Sequence, residues 1–400
     1  MLVVHVADLH LGKTLHERDL LPDQAYMLEG LLALLRDRRP AALLLAGDLF
    51  DRSIPSPEAL SLFNSFLERA VAGDPSLVIV AIPGNHDSAA RLSFGAGLLA
   101  RAGVHLRTRA SECDQPIRVE RDGESLDIWA LPFLTPGSFG AEPSGGATGP
   151  RGDPESPAPA AEEQSPVLRS QAELFAEGIA RITARMSRRS ANLLLAHCFA
   201  AGGTASASER VFVGSAEQVD ARLMDSFDYA ALGHLHRHQF VGSRACYAGS
   251  PLAYSFSEVD TPRGFLVVET GQGRFKTDLV PFAPLHPMHR VEGSFAELSQ
   301  IGARPDLREA YVEIRLTDPL PVVNPADALK GNFPYLLSVR QAAFELTHDG
   351  SGSELPDRGS AGSAAADFLL FNAEMRGTEP DEISTALFME LLAEAEREAT

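Results

Sequence analysis

Short, almost wholly apolar runs alternate with helically spaced ones along the first 130 residues. Residues 2–7, 41–46 and 77–82 read as strands, and 23–38, 57–71 and 89–101 as helices. In the first helix Met27, Leu28, Leu31, Leu32 and Leu35 share one face. Strands without polar alternation have both faces covered, so helices are expected to pack on the sheet. Residues 117–119 and 126–131 flank Asp122-Gly123, a hairpin signal. A helix (167–186), a strand (192–196), a helix (216–224) and a strand (229–232) follow. Short strands at 239–241, 245–248, 265–268 and 275–280 complete a second sheet. The pattern predicts an α/β fold over residues 1–282, with two sheets packed as a sandwich.

Beyond Phe282 the rhythm changes to isolated strands at 311–316 and 336–339 with a helix near 294–300, a small α+β domain over 283–345. Residues 136–166 hold 13 Pro and Gly among 31 and almost no large apolar side chain, so a disordered insertion is expected there. Residues 346–400 read as a Gly/Ser-rich linker and a helical C-terminal tail, its two amphipathic helices broken near 377–380. Phe368, Leu369, Phe371, Ile383, Leu387 and Phe388 give that tail more apolar surface than a tethered segment leaves in water.

Composition narrows the setting. No apolar run approaches the roughly 20 residues of a membrane-spanning helix, and Met1 leads into a polar motif without a basic leader, so a cytoplasmic protein with no membrane contact is expected. Cys113, Cys198 and Cys246 are odd in number and far apart, which suits a reducing compartment. The net charge of −19 speaks against nucleic acid at first. Yet nine of those negative charges lie in 346–400 and four in 136–166, which leaves the rest of the chain only mildly acidic.

Five polar clusters each sit just past a predicted strand: Asp8-Leu9-His10, Gly47-Asp48-Leu49-Phe50-Asp51, Gly84-Asn85-His86-Asp87, His197, and Gly233-His234-Leu235-His236. Loops beyond the carboxyl ends of strands share one edge of an α/β sheet, so these side chains can meet there. Two Asp, one Asn and four His exceed the needs of one tetrahedral site. Two metals bridged by one carboxylate fit the count, and such a pair suits in-line phosphoryl displacement. Ligand type alone leaves Mn, Fe and Zn open. Two divalent ions against two carboxylates also leave the site net positive, which favours a phosphate substrate.

The set D-x-H, G-D-x-x-D, G-N-H-D, H and G-H-x-H resembles the calcineurin-like metallophosphoesterases. His5 to Gly12 (H-x-A-D-L-H-L-G), Ala46 to Asp51 (A-G-D-L-F-D), Ala231 to Arg237 (A-L-G-H-L-H-R) and Tyr247 to Phe256 (Y-x-G-S-P-x-x-x-S-F) narrow the likeness to the SbcD nucleases of bacterial SbcCD complexes. The resemblance implies one metal on Asp8, His10, Asp48 and His236, and a second sharing Asp48 and adding Asn85, His197 and His234. It also implies Mn2+ as the ion and His86 as general acid to the leaving 3′ oxygen, a task open to an imidazole. Archaeal relatives carry a His where this chain has Asp51. Asp87 either orients a histidine or caps its turn, and the Tyr247 segment either contacts DNA or braces the metal loops.

The implied partners are DNA ends and hairpins, a second nuclease subunit on the apolar faces of 57–71 and 89–101, and the SbcC ATPase on the C-terminal helices. Packing inside one subunit is the alternative for both surfaces. The implied activity is double-strand 3′–5′ exonuclease and single-strand endonuclease, with 283–345 as a capping domain. A phosphodiesterase or phosphatase acting on a small substrate is the rival enzyme, disfavoured by about 118 residues beyond the sandwich. A non-catalytic scaffold is the other, and it would be expected to have lost ligands.

Overall fold

The computed structural model describes residues 1–139, 170–187, 189–206, 209, 218–271, 274–301 and 304–344, with 385, 388, 389 and 392 near the C-terminus. Almost all of the expected insertion and the expected tail helices lie outside the described residues. The chain opens with β1 (Leu2–Val6), a small hairpin of β2 (Thr14–Leu15) and β3 (Arg18–Asp19), α1 (Leu21–Arg38), β4 (Ala42–Ala46), α2 (Pro57–Gly73) and β5 (Val78–Ile82). Next come α3 (Ala89–Leu92), α4 (Ala96–Leu99), β6 (Val104–Leu106), β7 (Ile117–Arg121) and β8 (Glu124–Leu131). Then follow α5 (Gln171–Thr183), β9 (Ala191–His197), β10 (Tyr229–Gly233), β11 (Gln239–Val241), β12 (Ala245–Tyr247), β13 (Gly264–Gly271) and β14 (Arg274–Pro281). The last stretch holds β15 (Met288–Gly293), α6 (Phe295–Gln300), α7 (Pro305–Arg308), β16 (Tyr311–Leu316), α8 (Pro325–Leu329) and β17 (Leu336–Gln341).

Two six-stranded sheets form the expected α/β sandwich. One runs β14-β13-β1-β4-β5-β6, the other β11-β12-β10-β9-β8-β7. The side-chain period of two explains why the central strands are apolar throughout. Leu43 and Leu45 of β4 pack outward with Met27, Leu28 and Leu31 of α1 and Phe63 and Phe66 of α2. Leu44 and Ala46 point inward to Leu193, Leu195 and Ala231 of the opposite sheet. Beyond that sheet, Phe175 and Ile179 of α5 cover Trp129, Leu131 and Leu194. β1, β4 and β5 are mutually parallel, as are β8, β9 and β10, so their carboxyl ends converge on one rim.

The structure differs from the sequence reading in several places. The helix expected at 89–101 is two four-residue helices and a 3₁₀ turn, because Gly95 takes φ 73° and Ser93 Oγ bonds back to the Ala90 carbonyl. Of the helix expected at 216–224, the described part has Val219 bridged to Ala200 and then a 3₁₀ turn, Ala221–Met224, started by the Asp220 side chain accepting from Arg222 N. α5 starts where a capping box forms between Ser170 and Glu173. At Asp122-Gly123 both residues take positive φ, 53° and 80°, as a tight hairpin turn requires.

Past β14, a third sheet of β15, β16 and β17 is parallel throughout. It has its own apolar cluster around Val312, Ile314, Leu316, Leu298 and Phe333. Its attachment to the sandwich centres on buried Asp23 in the first turn of α1. That carboxylate accepts from Tyr311 Oη at 2.7 Å, His286 Nδ1 at 2.9 Å and His286 N at 3.2 Å. Arg18 lies over the Tyr335 ring, 4.6 Å from its centroid. Asp23→Ala leaves those donors buried without an acceptor, so it is expected to cost about 1–3 kcal/mol in urea denaturation, while Tyr311→Phe costs about 1 kcal/mol.

Candidate metal centre

The rim where the parallel strands end is closed by backbone rather than by side chains. The His197 ring at the end of β9 reaches across to the other sheet, with Nδ1 donating to the Ala46 carbonyl at 2.8 Å. The sheets can approach this closely because Gly233 has no side chain: a Cβ there would lie 1.9 Å from the Ala46 oxygen. Gly84 does the same for the β5 loop, where a Cβ would meet Asp48 Oδ1 at 2.1 Å. Four of the expected ligands take left-handed backbone: Asp8 (φ 55°), His10 (44°), Asp48 (48°) and His234 (110°). Such residues cost on the order of 1–3 kcal/mol each and persist only where surrounding contacts over-determine them.

Those contacts are visible. Asp8 N donates to the Gly47 carbonyl at 3.1 Å and His10 N to the Asp48 carbonyl at 2.9 Å, which ties the β1 loop to the β4 loop. Gln24 of α1 donates to the His10 carbonyl at 2.7 Å and accepts from Gly12 N at 2.8 Å. Asp87 accepts from Leu49 N and Phe50 N at 3.0 Å and from Gly84 N at 2.9 Å. Of the two readings of Asp87, turn capping is therefore the one observed, and it stitches backbone instead of orienting a histidine. The Tyr247 segment braces the rim as well: Tyr247 Oη donates to the Cys198 carbonyl and accepts from Ala200 N, both at 2.8 Å. His5 is fully buried between Tyr229 Oη and the Leu232 carbonyl, at 3.0 and 3.2 Å, as a core histidine.

All seven expected ligands and His86 come together. His10 Nε2 lies 3.1 Å from His236 Nε2, with Asp8 in the same group of donors. On the other side, Asn85 Oδ1 lies 3.0 Å from His197 Nε2 and 3.1 Å from His234 Nδ1. Asp48 stands between, its Oδ2 3.7 Å from His10 Nε2 and 3.7 Å from His197 Nε2. Its Oδ1 accepts from His86 N at 2.9 Å. The His86 ring is half-buried, 4.8 Å from the His10 ring, and its Nδ1 donates to the Asp51 carbonyl at 2.8 Å. The Asp51 carboxylate pairs with Lys13 Nζ at 2.7 Å.

Electrostatics match metal binding. Burial lowers His10 to about 4 and His234 to about 3, and it lowers His197 too, so these rings are neutral donors. Burial opposes the charge on Asp48, yet His197, His10 and His86 around it hold its carboxyl down at about 2. Burial drives Asp8 well above the carboxylate range, and its Oδ2 is buried with no hydrogen-bond partner. A buried, orphaned carboxylate oxygen among neutral imidazoles is an uncompensated acceptor that a cation satisfies. His236 differs from the other rings. Burial opposes its charge, but its hydrogen bond to Glu258 and the Asp8 carboxylate hold its pKa up.

Glu258 escaped the sequence reading, and so did its partner Arg263. Glu258 is buried, with Oε1 3.1 Å from His236 Nδ1 and Oε2 2.7 Å from Arg263 Nη2. The available signal was an acidic residue two positions past Phe256, with a basic one five further on.

A buried donor set of this kind, on the rim of a two-sheet sandwich, defines a metal-dependent hydrolase. The calcineurin-like phosphoesterase profile matches residues 1–238. The D subunit of the SbcCD nuclease from Staphylococcus epidermidis is 30% identical over 363 residues, which is 89% of each chain. That of Staphylococcus saprophyticus is 28% identical over 353 residues, 86% of each chain. Among solved structures, TT1561 of Thermus thermophilus aligns with a TM-score of 0.38 at 12% identity, over 70% of this chain and 98% of the other. A dimetal phosphatase from Danio rerio aligns with a TM-score of 0.36 at 11% identity, over 67% and 92%. The chain therefore belongs to the calcineurin-like phosphoesterase family, and within it to the group of SbcCD nuclease D subunits. That family works with divalent metals. Among the described residues, no helix is long and apolar enough to cross a membrane.

Gly84→Ala forces its Cβ onto Asp48 and is expected to lower stability by about 1–3 kcal/mol, the range for overpacking, read as a drop in the thermal midpoint of the metal-free protein.

Proposed function

We propose that the chain is the nuclease component of an ATP-driven DNA-processing complex. In this reading it cuts phosphodiester bonds at DNA ends and hairpins, as a double-strand 3′–5′ exonuclease and a single-strand endonuclease. Its centre holds two divalent ions, Mn2+ in the working enzyme. Asp8, His10, Asp48 and His236 hold the first, and Asp48, Asn85, His197 and His234 the second. The observation that carries this is the position of Asp48 Oδ2, 3.7 Å from an imidazole of each half. One carboxylate oxygen placed between two donor groups is what a bridged pair needs. The names of the curated relatives carry the choice of nucleic acid and of an SbcC partner.

When bound, such a pair of ions supplies Lewis-acid polarisation of the phosphoryl group and activation of water. The protein's own residues do the rest. Asn85 offers an amide oxygen without adding negative charge, which keeps the rim attractive to phosphate. His86 has its Nδ1 proton committed to the Asp51 carbonyl, so Nε2 is the atom that delivers a proton to the leaving 3′ oxygen. The fixed ring direction serves that transfer, and partial exposure lets a DNA strand reach it. Exposed Leu60 on α2, Phe94 in the turn between α3 and α4, and Leu98 on α4 support a second nuclease subunit as partner. The C-terminal helices would bind the SbcC ATPase.

Wild-type protein is expected to cut linear double-stranded DNA with Mn2+ and to stop on chelation. His86→Ala is expected to lose about 10²–10⁴-fold in rate while keeping two bound ions by elemental analysis. Asp48→Ala is expected to lose the ions themselves. DNA surviving wild type while a small phosphodiester is hydrolysed would move the reading to a small-substrate phosphodiesterase. Deleting residues 365–400 is expected to abolish co-purification with the ATPase and to spare the chain's own metal-dependent nuclease activity; an intact complex would remove the tail from the interface.

A further inference from the structure

The four imidazoles among the expected ligands are held in different ways. His197 Nδ1 is anchored by the Ala46 carbonyl, and His234 Nδ1 faces the Asn85 amide. His10 Nδ1 is buried with no hydrogen-bond partner, 3.6 Å from Asp51 Oδ1. His236 has its Nδ1 3.1 Å from a carboxylate oxygen, Glu258 Oε1, while its Nε2 faces the centre, 3.1 Å from His10 Nε2.

That carboxylate is itself built in. Glu258 is 2% exposed, and both its oxygens have donors besides His236. Oε1 accepts from Ser206 Oγ at 2.9 Å, and Oε2 accepts from Tyr254 N at 3.0 Å and Arg263 Nη2 at 2.7 Å. Arg263 is anchored in turn by the Ser250 and Leu252 carbonyls, both at 2.8 Å from Nη1. Burying a carboxylate is repaid only where a cation and further hydrogen bonds satisfy its lone pairs, and the His236 contact is one of those bonds. Oε1, shared with Ser206, faces the outer nitrogen of a ring whose inner nitrogen faces the donor cluster. A carboxylate in that position fixes the ring, holds the proton on Nδ1 and turns the Nε2 lone pair inward.

We propose that Glu258, clamped by Arg263, is the positioning residue for His236, and that it strengthens one of the two metal sites selectively. The inference rests on the two-site reading above and deepens it: the half holding Asp8, His10 and His236 depends on Glu258, and the half holding Asn85, His197 and His234 does not.

The test is calorimetric titration of metal-free full-length protein with Mn2+, following two binding events, with the Co2+ absorption spectrum as a second signature. Glu258→Ala is expected to weaken one event about 10–100-fold and leave the other within twofold. Glu258→Gln keeps an oxygen for the Nδ1 proton but places an amide against the Tyr254 and Arg263 donors, so it is expected to weaken the same event by about tenfold, the low end of that range. Its near-identical shape makes Glu258→Gln the deciding variant where Glu258→Ala does not fold. The Co2+ spectrum is expected to change only in the band belonging to the affected site. Equal weakening of both events assigns Glu258 a general structural role and overturns the proposal, as do two unchanged events. Wild-type protein binding fewer than two ions would overturn the two-site reading itself, a result separate from unchanged variants of a two-ion wild type.

Discussion

Everything at the rim depends on one close approach, that of the β4 carboxyl end to the ends of β9 and β10. The Ala46 carbonyl lies within hydrogen-bond reach of His197, and the backbone at Gly233 passes where no side chain fits. Two sheets in a sandwich are normally held about 10 Å apart by interdigitated side chains. At this edge that filling is thinned, and residues from both sheets can address one volume. Asp8, His10, Asp48, Asn85 and His86 follow strands of the first sheet, and His197, His234 and His236 strands of the second. Neither sheet alone carries all the residues of the proposed centre.

That geometry explains which parts of the molecule were legible in the amino-acid order. Strands such as Ala-Leu-Leu-Leu-Ala at 42–46 are apolar throughout because helices and the opposite sheet cover both faces, so a polar residue directly after such a run marks the rim. That signal, repeated five times, marked the seven expected ligands and His86, which the structure brings together, but not Glu258 or Arg263. Pairing direction has no such signal, which is why the wholly parallel third sheet was read only as isolated strands. The helix expected at 89–101 broke at Gly95, where left-handed backbone overrode apolar spacing. Asp87 and Glu258 were hard to read for a related reason. Their roles lie in what they accept hydrogen bonds from, backbone amides 38 residues away in one case and an imidazole 22 residues away in the other.

The net charge also takes a different meaning once the centre is in view. The acidic excess lies mostly in the 136–166 segment and in 346–400. Among the seven expected ligands, four imidazoles and one amide stand beside only two carboxylates, and the neighbouring Asp51 is matched by Lys13. A chain can be acidic in total and still present a phosphate with a locally positive surface, provided ions rather than lysines supply the charge. This suits a sequence with only three lysines.

The left-handed backbone at Asp8, His10, Asp48 and His234 has a consequence for anyone who would move this centre elsewhere. Copying seven side chains onto another scaffold at matching Cα positions would reproduce the residues and not their directions, because four of the seven Cβ vectors are set by a conformation an ordinary strand end does not adopt. The transferable unit is the set of loops with their glycines, the Gln24 and Asp87 stitches and the facing sheet edge, and it is indivisible.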